Sequence, residues 1–336
     1  MIEWLKLNEE QRRTSIEQAS AATGLLPSAI EKDWWVTLTL KALFNGAYKD
    51  SMIFKGGTSL SKCFDLIERF SEDIDIALAP EAIGLSHKEH PTGKEIDALR
   101  KQGYIFTSEV LIKDLKEALA ALGVDLNLIT ITAEAFVENR SYPDPQSLYL
   151  SYPTLFDKNE YLPNVVKIEV GVRSLKEPKT TVSIKSILSD YIPATLYKED
   201  YFEVKAVEPH RTFLEKMFLL HEEFQKPDPS KIRHERMSRH LYDLEKMMDK
   251  EPGKKALADN ELYYIIIKHR QTYTRIGSVD YKTHDKATIN IIPPESVIGA
   301  YKTDYETMRA VMIYGDTLDF EILIKRLEEL IERFRP

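Results

Sequence analysis

The chain has 336 residues, which is enough to bury a substantial core in two domains or in one elaborated domain. It contains one cysteine, Cys63, so a disulfide framework and a cysteine-rich zinc site are both excluded. The formal net charge of -8 argues against a surface committed as a whole to nucleic acid, although a local basic groove is compatible with it.

Two features of the sequence bear on location. No apolar run is as long as a membrane span, and the first residues, MIEWLK, lack the apolar core of a signal peptide. We therefore expect a cytoplasmic protein with no membrane partner.

The first predicted elements are two helices, over residues 8–22 and 26–44. The second helix begins with PSAIE, in which Ser28 and Glu31 have the spacing of a capping box. A short strand is predicted next, at residues 51–54, and it leads directly into a glycine turn.

The glycine turn lies in the run KGGTSLSK at 55–62 and opens a helix predicted to reach residue 69. Free backbone N–H groups at a helix N-terminus favour phosphate. After this helix, Asp73 and Asp75 alternate with isoleucines, so both carboxylates should share one face of a strand. Such a pair can hold a divalent cation that also binds triphosphate oxygens, which predicts Mg²⁺ or Mn²⁺ with a nucleoside triphosphate as substrate. The Walker phosphate loop is absent.

A half-buried strand is predicted at 165–172, with valines and an isoleucine on its apolar face. Glu169 lies on the opposite, polar face beside Lys167. From these residues alone, Glu169 is either a solvent-facing side chain or a further carboxylate at the site.

Beyond residue 195 the sequence changes from strand-rich to helical, so we predict domains at 1–200 and 201–336. The helix from Pro209 is strongly amphipathic, and Lys216 falls inside or at the edge of its apolar arc. A charge there needs a carboxylate or a ligand phosphate as its partner, unless the side chain extends to solvent.

The next predicted helix carries Arg236, Arg239 and Asp243 on one face. Asp243 either forms a surface ion pair with Arg239 or faces the metal site. The final helix has an apolar stripe, which consists of Phe320, Leu323, Ile324, Leu327, Leu330, Ile331 and Phe334.

Several of these runs together resemble one family. The run KGGTSLSK followed by RFSEDID at 69–75, with its Ser-x-Asp-x-Asp ending, looks like the AbiEii/AbiGii toxin family. RTFLEK at 211–216 and RHLYDL at 239–244 resemble two further blocks of that family. The resemblance implies an α/β (α+β) fold: a nucleotidyltransferase domain with a small mixed sheet, and a helical C-terminal domain that completes an active site in the cleft between them.

The resemblance also implies roles for particular residues. Asp73 and Asp75 would hold the metal, and Glu169 would be a candidate third ligand. Lys216 would face the triphosphate, and Asp243 would act as general base on an incoming hydroxyl. The residues expected to contact the nucleotide are Gly56, Gly57, Thr58, Ser59, Lys62, Ser71, Arg236 and Arg239.

The implied activity is metal-dependent transfer of a nucleotide from a nucleoside triphosphate to an acceptor hydroxyl, with release of pyrophosphate. Members of the family are toxins of toxin–antitoxin or phage-defence systems, so we expect an AbiEi-like antitoxin encoded by a neighbouring gene. Related MenT toxins make the 3′ end of tRNA the expected acceptor. Two basic clusters are available for RNA, one with Lys176, Lys179 and Lys185, the other with Lys231, Arg233, Arg236 and Arg239.

Two alternatives stay open at this stage. One is a small-molecule nucleotidyltransferase of the aminoglycoside-modifying kind, which needs no basic groove. The other is a catalytically silent nucleotide- or partner-binding module, against which the intact pair Asp73 and Asp75 argues.

Overall fold

The computed structural model describes residues 1–157, 162–193 and 197–335. The chain forms two compact units. The first, which we call the sheet unit, comprises Met1–Cys63 and Phe70–Val207. The second, the helical unit, comprises Phe64–Arg69 and the chain from Glu208 onward.

The sheet unit is built on one seven-stranded mixed sheet, whose strands are β1 (Met52–Lys55), β2 (Ile74–Leu78), β3 (Thr130–Ala133), β4 (Gln146–Ser151), β5 (Val165–Gly171), β6 (Lys179–Ile184) and β7 (Phe202–Val207). Their order is β3-β4-β5-β2-β1-β7-β6. β2 runs parallel to β5 and β1 parallel to β7, while the other neighbours are antiparallel. The mixed α/β class is therefore confirmed. Because β7 belongs to this sheet, the sheet unit extends to Val207, past the boundary predicted at residue 200.

The helices of the sheet unit are α1 (Glu3–Lys6), α2 (Glu9–Thr23), α3 (Pro27–Leu43), α4 (Gly56–Lys62), α5 (Gly93–Ile105) and α6 (Ile112–Leu122). The two helices predicted first are confirmed as α2 and α3. The capping box predicted for α3 is absent, because the N-cap of that helix is Leu26 and makes no side-chain bond. At the start of α2, Asn8 Oδ1 accepts a hydrogen bond from the Gln11 N–H, and Gln11 Oε1 accepts one from the Asn8 N–H. Glu31 on α3 instead accepts from Thr154 Oγ1 at 2.6 Å.

Helix α4 ends at Lys62, so the prediction that it reaches residue 69 was wrong. The segment from Phe64 to Arg69 belongs to the helical unit, which bonds its backbone directly. Tyr314 N donates to the carbonyl of Glu68 at 3.0 Å, and Lys250 Nζ donates to the carbonyl of Leu66 at 3.1 Å. These hydrogen bonds to distant residues take the place of the backbone bonds that a longer α4 would have made.

The helical unit contains α7 (Pro209–Phe224), α8 (Ser238–Met248), α9 (Glu251–Ala258), α10 (Asn260–His269), α11 (Glu295–Val311) and α12 (Phe320–Phe334). The apolar stripe predicted on the last helix is buried along α12, as expected. None of the described helices is long and apolar enough to cross a membrane.

The helix predicted to carry Arg236 begins later than expected, at Ser238. Arg236 precedes α8 in the left-handed conformation, with φ of +57°. Asp304 on α11 accepts hydrogen bonds from the backbone of Arg236 at 2.6 Å and of Ser238 at 2.9 Å, which sets the start of α8. The prediction that Arg236 shares a helical face with Arg239 and Asp243 was therefore wrong.

Helix α3 is buried along nearly its whole length, including its charged residues. Lys32 forms an ion pair with Glu72, and Asp33 forms one with Lys62 at the end of α4. All four side chains are at most 7% exposed. Asp33 also accepts a hydrogen bond from the backbone N–H of Ile187 at 2.8 Å. One buried ion pair therefore joins α3 to the end of α4, which begins at the glycine turn. The other, of opposite polarity, joins α3 to Glu72, the residue before Asp73.

We predict that Lys62→Met destabilises the protein by about 3–5 kcal/mol, because the carboxylate of Asp33 is left buried without its cation. Adding Asp33→Asn should recover most of this loss, since asparagine can still accept from Ile187. The free energy of unfolding in denaturant measures both effects. Arg13→Ala, which removes a surface pair with Glu9, is the control and should change little. A double variant as unstable as Lys62→Met would contradict the explanation.

Candidate active site

A row of polar side chains crosses four neighbouring strands of the sheet. Asp75 on β2 is opposite Lys55 on β1 and opposite Glu169 on β5. Ser147 on β4 is in turn opposite Glu169. Directly paired residues project from the same face of a sheet, so this row forms one polar surface. The isoleucines that alternate with the two aspartates, Ile74 and Ile76, are fully buried.

Asp73 immediately precedes β2 and is two residues before Asp75, and both residues are partly accessible. Its negative charge acts on Lys167 of β5. Burial alone would lower the pKa of Lys167, but its hydrogen bond and ion pair with Glu169, together with Asp73, raise the pKa above its usual value. The predicted alternation is confirmed within β2, where Asp75 lies between the buried Ile74 and Ile76. The sheet places Asp75 and Glu169 opposite each other, and Asp73 is near enough for its charge to act on Lys167 of β5.

Gly56 is required by its contact with Asp75. Its φ is +79°, and a Cβ placed on it would lie 2.0 Å from Oδ2 of Asp75. No side chain fits in that space, and the left-handed backbone also favours glycine. The start of α4 and the carboxylate of Asp75 are therefore packed directly against each other.

Hydroxyl groups hold the turn to the strand. Thr58 donates to the carbonyl oxygen of Asp73, and its Oγ1 lies 2.9 Å from Oγ of Ser71. Ser59 donates to the carbonyl of Gly56 at 2.9 Å. Thr58 and Ser59 are buried, so these two predicted nucleotide contacts have structural bonds within the protein.

The start of α4 has the groups needed for an anion. The first backbone N–H groups of a helix, here those of Gly56, Gly57 and Thr58, have no intrahelical partner. Lys55, at the N-cap, makes no capping bond with its side chain. Lys62 was also expected to contact the nucleotide, but the structure gives it a buried ion pair with Asp33.

The carboxylates fit a magnesium or manganese ion held by two protein ligands. Mg²⁺ is commonly bound through one or two carboxylates, with water and substrate phosphate completing its shell. Among the described residues, no group of three or more histidine, cysteine, aspartate or glutamate side chains is arranged to hold a metal. Glu169 accepts a hydrogen bond from Lys167 Nζ at 2.7 Å. Its role as a third ligand stays a prediction.

Asp243 is the centre of a buried cluster within the helical unit. Arg69 binds it in bidentate fashion, with Nε to Oδ1 at 2.7 Å and a terminal nitrogen to Oδ2 at 2.8 Å. Lys216 Nζ lies 2.9 Å from Oδ2 and 3.3 Å from Nδ1 of His240. Lys216 therefore has a protein carboxylate as its partner, one of the two possibilities left open by the sequence.

The cluster shifts the pKa values of its members. Burial alone would raise the pKa of Asp243, but the charges of Arg69 and Lys216 outweigh it and hold the pKa well below the usual 3.8. Burial lowers the pKa of Lys216 despite the opposing effect of Asp243. A carboxylate with so low a pKa is a poor proton acceptor. The expected roles of Asp243 as general base and of Lys216 at the triphosphate stay predictions.

The basic clusters expected to bind RNA are largely ion-paired. In the sheet unit, Lys176 binds Glu81, Lys179 binds Glu177 and Lys185 binds Asp190. In the helical unit, Lys231 lies 3.7 Å from Asp228, and Arg233 lies 2.8 Å from Glu223. Arg236 is exposed and Arg239 half-buried.

The sequence interpretation assigned no role to Lys55 or Arg69, although both lie within the runs it used. Lys55 lies opposite Asp75 because β1 and β2 pair in antiparallel fashion. Assuming this pairing for the two consecutive predicted strands would have indicated the position of Lys55. The partner of Arg69 is far along the chain, and no local pattern points to it.

A mixed sheet with two alternating carboxylates beside a glycine turn defines a fold of the nucleotidyltransferase type. Comparison with family models gives a match to "Nucleotidyl transferase AbiEii toxin, Type IV TA system" over residues 39–333. The chain therefore belongs to the AbiEii family of nucleotidyltransferase toxins from type IV toxin–antitoxin systems, which confirms the resemblance. A search of curated proteins found no match.

We predict that Gly56→Ala abolishes divalent metal binding, because the new methyl group must displace the carboxylate of Asp75. Gly84→Ala is a matched control: its φ is +71°, and a Cβ there meets nothing within 4 Å. Both variants should lose about 1–2 kcal/mol of stability from the left-handed backbone. Binding of Mn²⁺, followed by electron paramagnetic resonance, should be lost in Gly56→Ala alone. Equal Mn²⁺ binding by the two variants would refute this account of the site.

We predict that Asp243→Asn costs about 3–5 kcal/mol, because Arg69 and Lys216 would be buried without a counter-charge. In the native protein, the stability contributed by this carboxylate is complete above the unfolded value of 3.8 and is lost as pH falls through the lower folded pKa. When the free energy of unfolding is measured from about pH 5 to pH 2, the variant should therefore lose less stability with falling pH than the native protein does. Asp249→Asn, which removes an exposed carboxylate bound to Arg326 and Arg333, is the control. A variant with native stability would show that the cluster is not structural.

Proposed function

We propose that the protein is a metal-dependent nucleotidyltransferase that adds a nucleotide to the 3′ hydroxyl of tRNA and so inhibits growth. The observation that carries the proposal is the contact of the glycine turn with Asp75. It combines phosphate-binding backbone groups and metal-binding carboxylates in one compact feature of the sheet unit.

In this proposal Asp73 and Asp75 hold Mg²⁺ or Mn²⁺, and the N–H groups of Gly56 and Gly57 bind triphosphate oxygens. When bound, the ion stabilises negative charge on the phosphoryl oxygens. The acceptor oxygen bonds to the α-phosphorus and the bond to the bridging oxygen breaks. Pyrophosphate leaves with the electron pair of that bond, and the proton of the acceptor hydroxyl passes to water. Thr58 and Ser71 keep the turn in register with the aspartates.

Support for a toxic role comes from membership of the type IV family. We infer an AbiEi-like antitoxin encoded by a neighbouring gene and a role in phage defence. Because tRNA is the proposed acceptor, we assign the activity to the cytoplasm.

A small molecule is the second candidate acceptor, and one observation favours it. The lysines of the sheet-unit cluster are paired with carboxylates, which reduces the net positive charge that a nucleic-acid backbone would meet. For RNA to bind there, its phosphates would have to compete with these carboxylates.

The test is to incubate the purified protein with total RNA, Mg²⁺ and each α-labelled nucleoside triphosphate in turn. We expect label in the tRNA band, and we expect it to disappear when the 3′ hydroxyl has been oxidised with periodate. Labelling of no RNA, by protein that binds triphosphate and is toxic in cells, would exclude tRNA. An aminoglycoside panel would then test the second candidate.

We predict that Asp73→Asn and Asp75→Asn each abolish nucleotide transfer and toxicity while the fold is retained. Asparagine is nearly isosteric with aspartate, but it does not bind magnesium as a carboxylate does. Melting curves and transfer assays should be compared on the same preparations, with Asp190→Asn as a surface control in the sheet unit. A double variant that folds normally and still transfers nucleotide would exclude the metal assignment.

A further inference from the structure

Lys55 differs from the other lysines of the sheet. The described strands carry four lysines, and three of them are ion-paired: Lys167 with Glu169, Lys179 with Glu177 and Lys205 with Asp50. The Nζ of Lys55 instead lies 3.1 Å from the hydroxyl of Ser174. Among the ion pairs formed by the described residues, none involves Lys55.

This hydroxyl does not compensate the charge of Lys55. An ammonium group has three donors, and Ser174 accepts one of them. The side chain is half-buried, so part of its hydration has been lost as well. A half-buried cation with only a neutral partner is suited to an anionic ligand.

The position of Lys55 indicates which anion. It is the last residue of β1 and the N-cap of α4, so it directly precedes the N–H groups of the glycine turn. It is also opposite Asp75 in the β1–β2 pair, on the same face. A ligand that bound both the N–H groups of the turn and a metal held by Asp75 would therefore pass Lys55.

We propose that Lys55 binds the oxygens of the nucleoside triphosphate, and that Ser174 holds its ammonium group in place before the nucleotide arrives. This proposal rests on the proposed function. A triphosphate carries more negative charge than one divalent cation neutralises, and Lys55 supplies a further positive charge. The charge of Lys55 also stabilises the departing pyrophosphate, which gains negative charge when its bond to the α-phosphorus breaks.

The experiment compares nucleotide binding by the full-length protein and its Lys55→Gln, Lys55→Arg and Ser174→Ala variants. Isothermal titration calorimetry with Mg²⁺ gives the affinity for the four nucleoside triphosphates and the corresponding monophosphates. Competition by inorganic tripolyphosphate is measured against the triphosphate that the native protein binds best. Lys205→Gln, which breaks a surface ion pair on β7, is the matched control.

We predict that Lys55→Gln lowers triphosphate affinity by about tenfold or more and weakens competition by tripolyphosphate equally. Monophosphate affinity and melting temperature should not change. Lys55→Arg should restore most of the affinity, Ser174→Ala should weaken it less than Lys55→Gln does, and Lys205→Gln should stay within about twofold of the native protein.

Failure of the proposed function and failure of the role of Lys55 give different results in this experiment. If the native protein binds no triphosphate, the proposed function fails and this proposal fails with it. If it binds triphosphate and Lys55→Gln stays within about twofold, only the role of Lys55 is refuted. If Ser174→Ala loses as much affinity as Lys55→Gln, the hydrogen bond between them is structural and the direct contact with phosphate is refuted.

Discussion

The backbone of Gly56 and the carboxylate of Asp75 occupy adjoining space with no room for a side chain between them. This close packing joins the two chemical parts of the site, because the start of α4 and the first residues of β2 cannot move independently. The antiparallel pairing of β1 with β2 brings them together, and Thr58 then fixes the register through the carbonyl of Asp73. The polar row across β1, β2, β5 and β4 follows from the same pairing.

Buried charges on α3 support this arrangement. Lys32 and Asp33 are neighbours in sequence, and each is paired with a residue that flanks the glycine turn or the carboxylates. Burying four charges is costly, and the ion pairs offset that cost only while their geometry is kept. The arrangement therefore favours one position of α4 and of the loop before β2, at the expense of stability that an apolar core would provide.

In the helical unit, the buried carboxylate of Asp243 likewise holds separate segments of the chain together through ion pairs. It is completely buried and forms ion pairs with Arg69 of the Phe64–Arg69 segment and with Lys216 of α7. The basic residues are thus used in two ways. Arg69, Lys62 and Lys32 serve internal carboxylates, whereas Lys55 has a neutral partner and keeps its charge for a ligand.

Local patterns in the sequence were sufficient for much of the fold and for part of the site. The alternation of Asp73 and Asp75 with isoleucines predicted a strand with a polar face, and the apolar stripe of α12 was read correctly, because both depend only on the period of side chains along one element. The early end of α4, the start of α8 at Ser238 and the partners of Lys62 and Asp243 depended on the tertiary structure. In each case a residue distant in sequence supplies the decisive bond: Tyr314 to the 64–69 segment, Asp304 to α8, Asp33 to Lys62 and Arg69 to Asp243. Sequence spacing shows which groups are present, but only the folded chain determines which charges neutralise one another and which stay available.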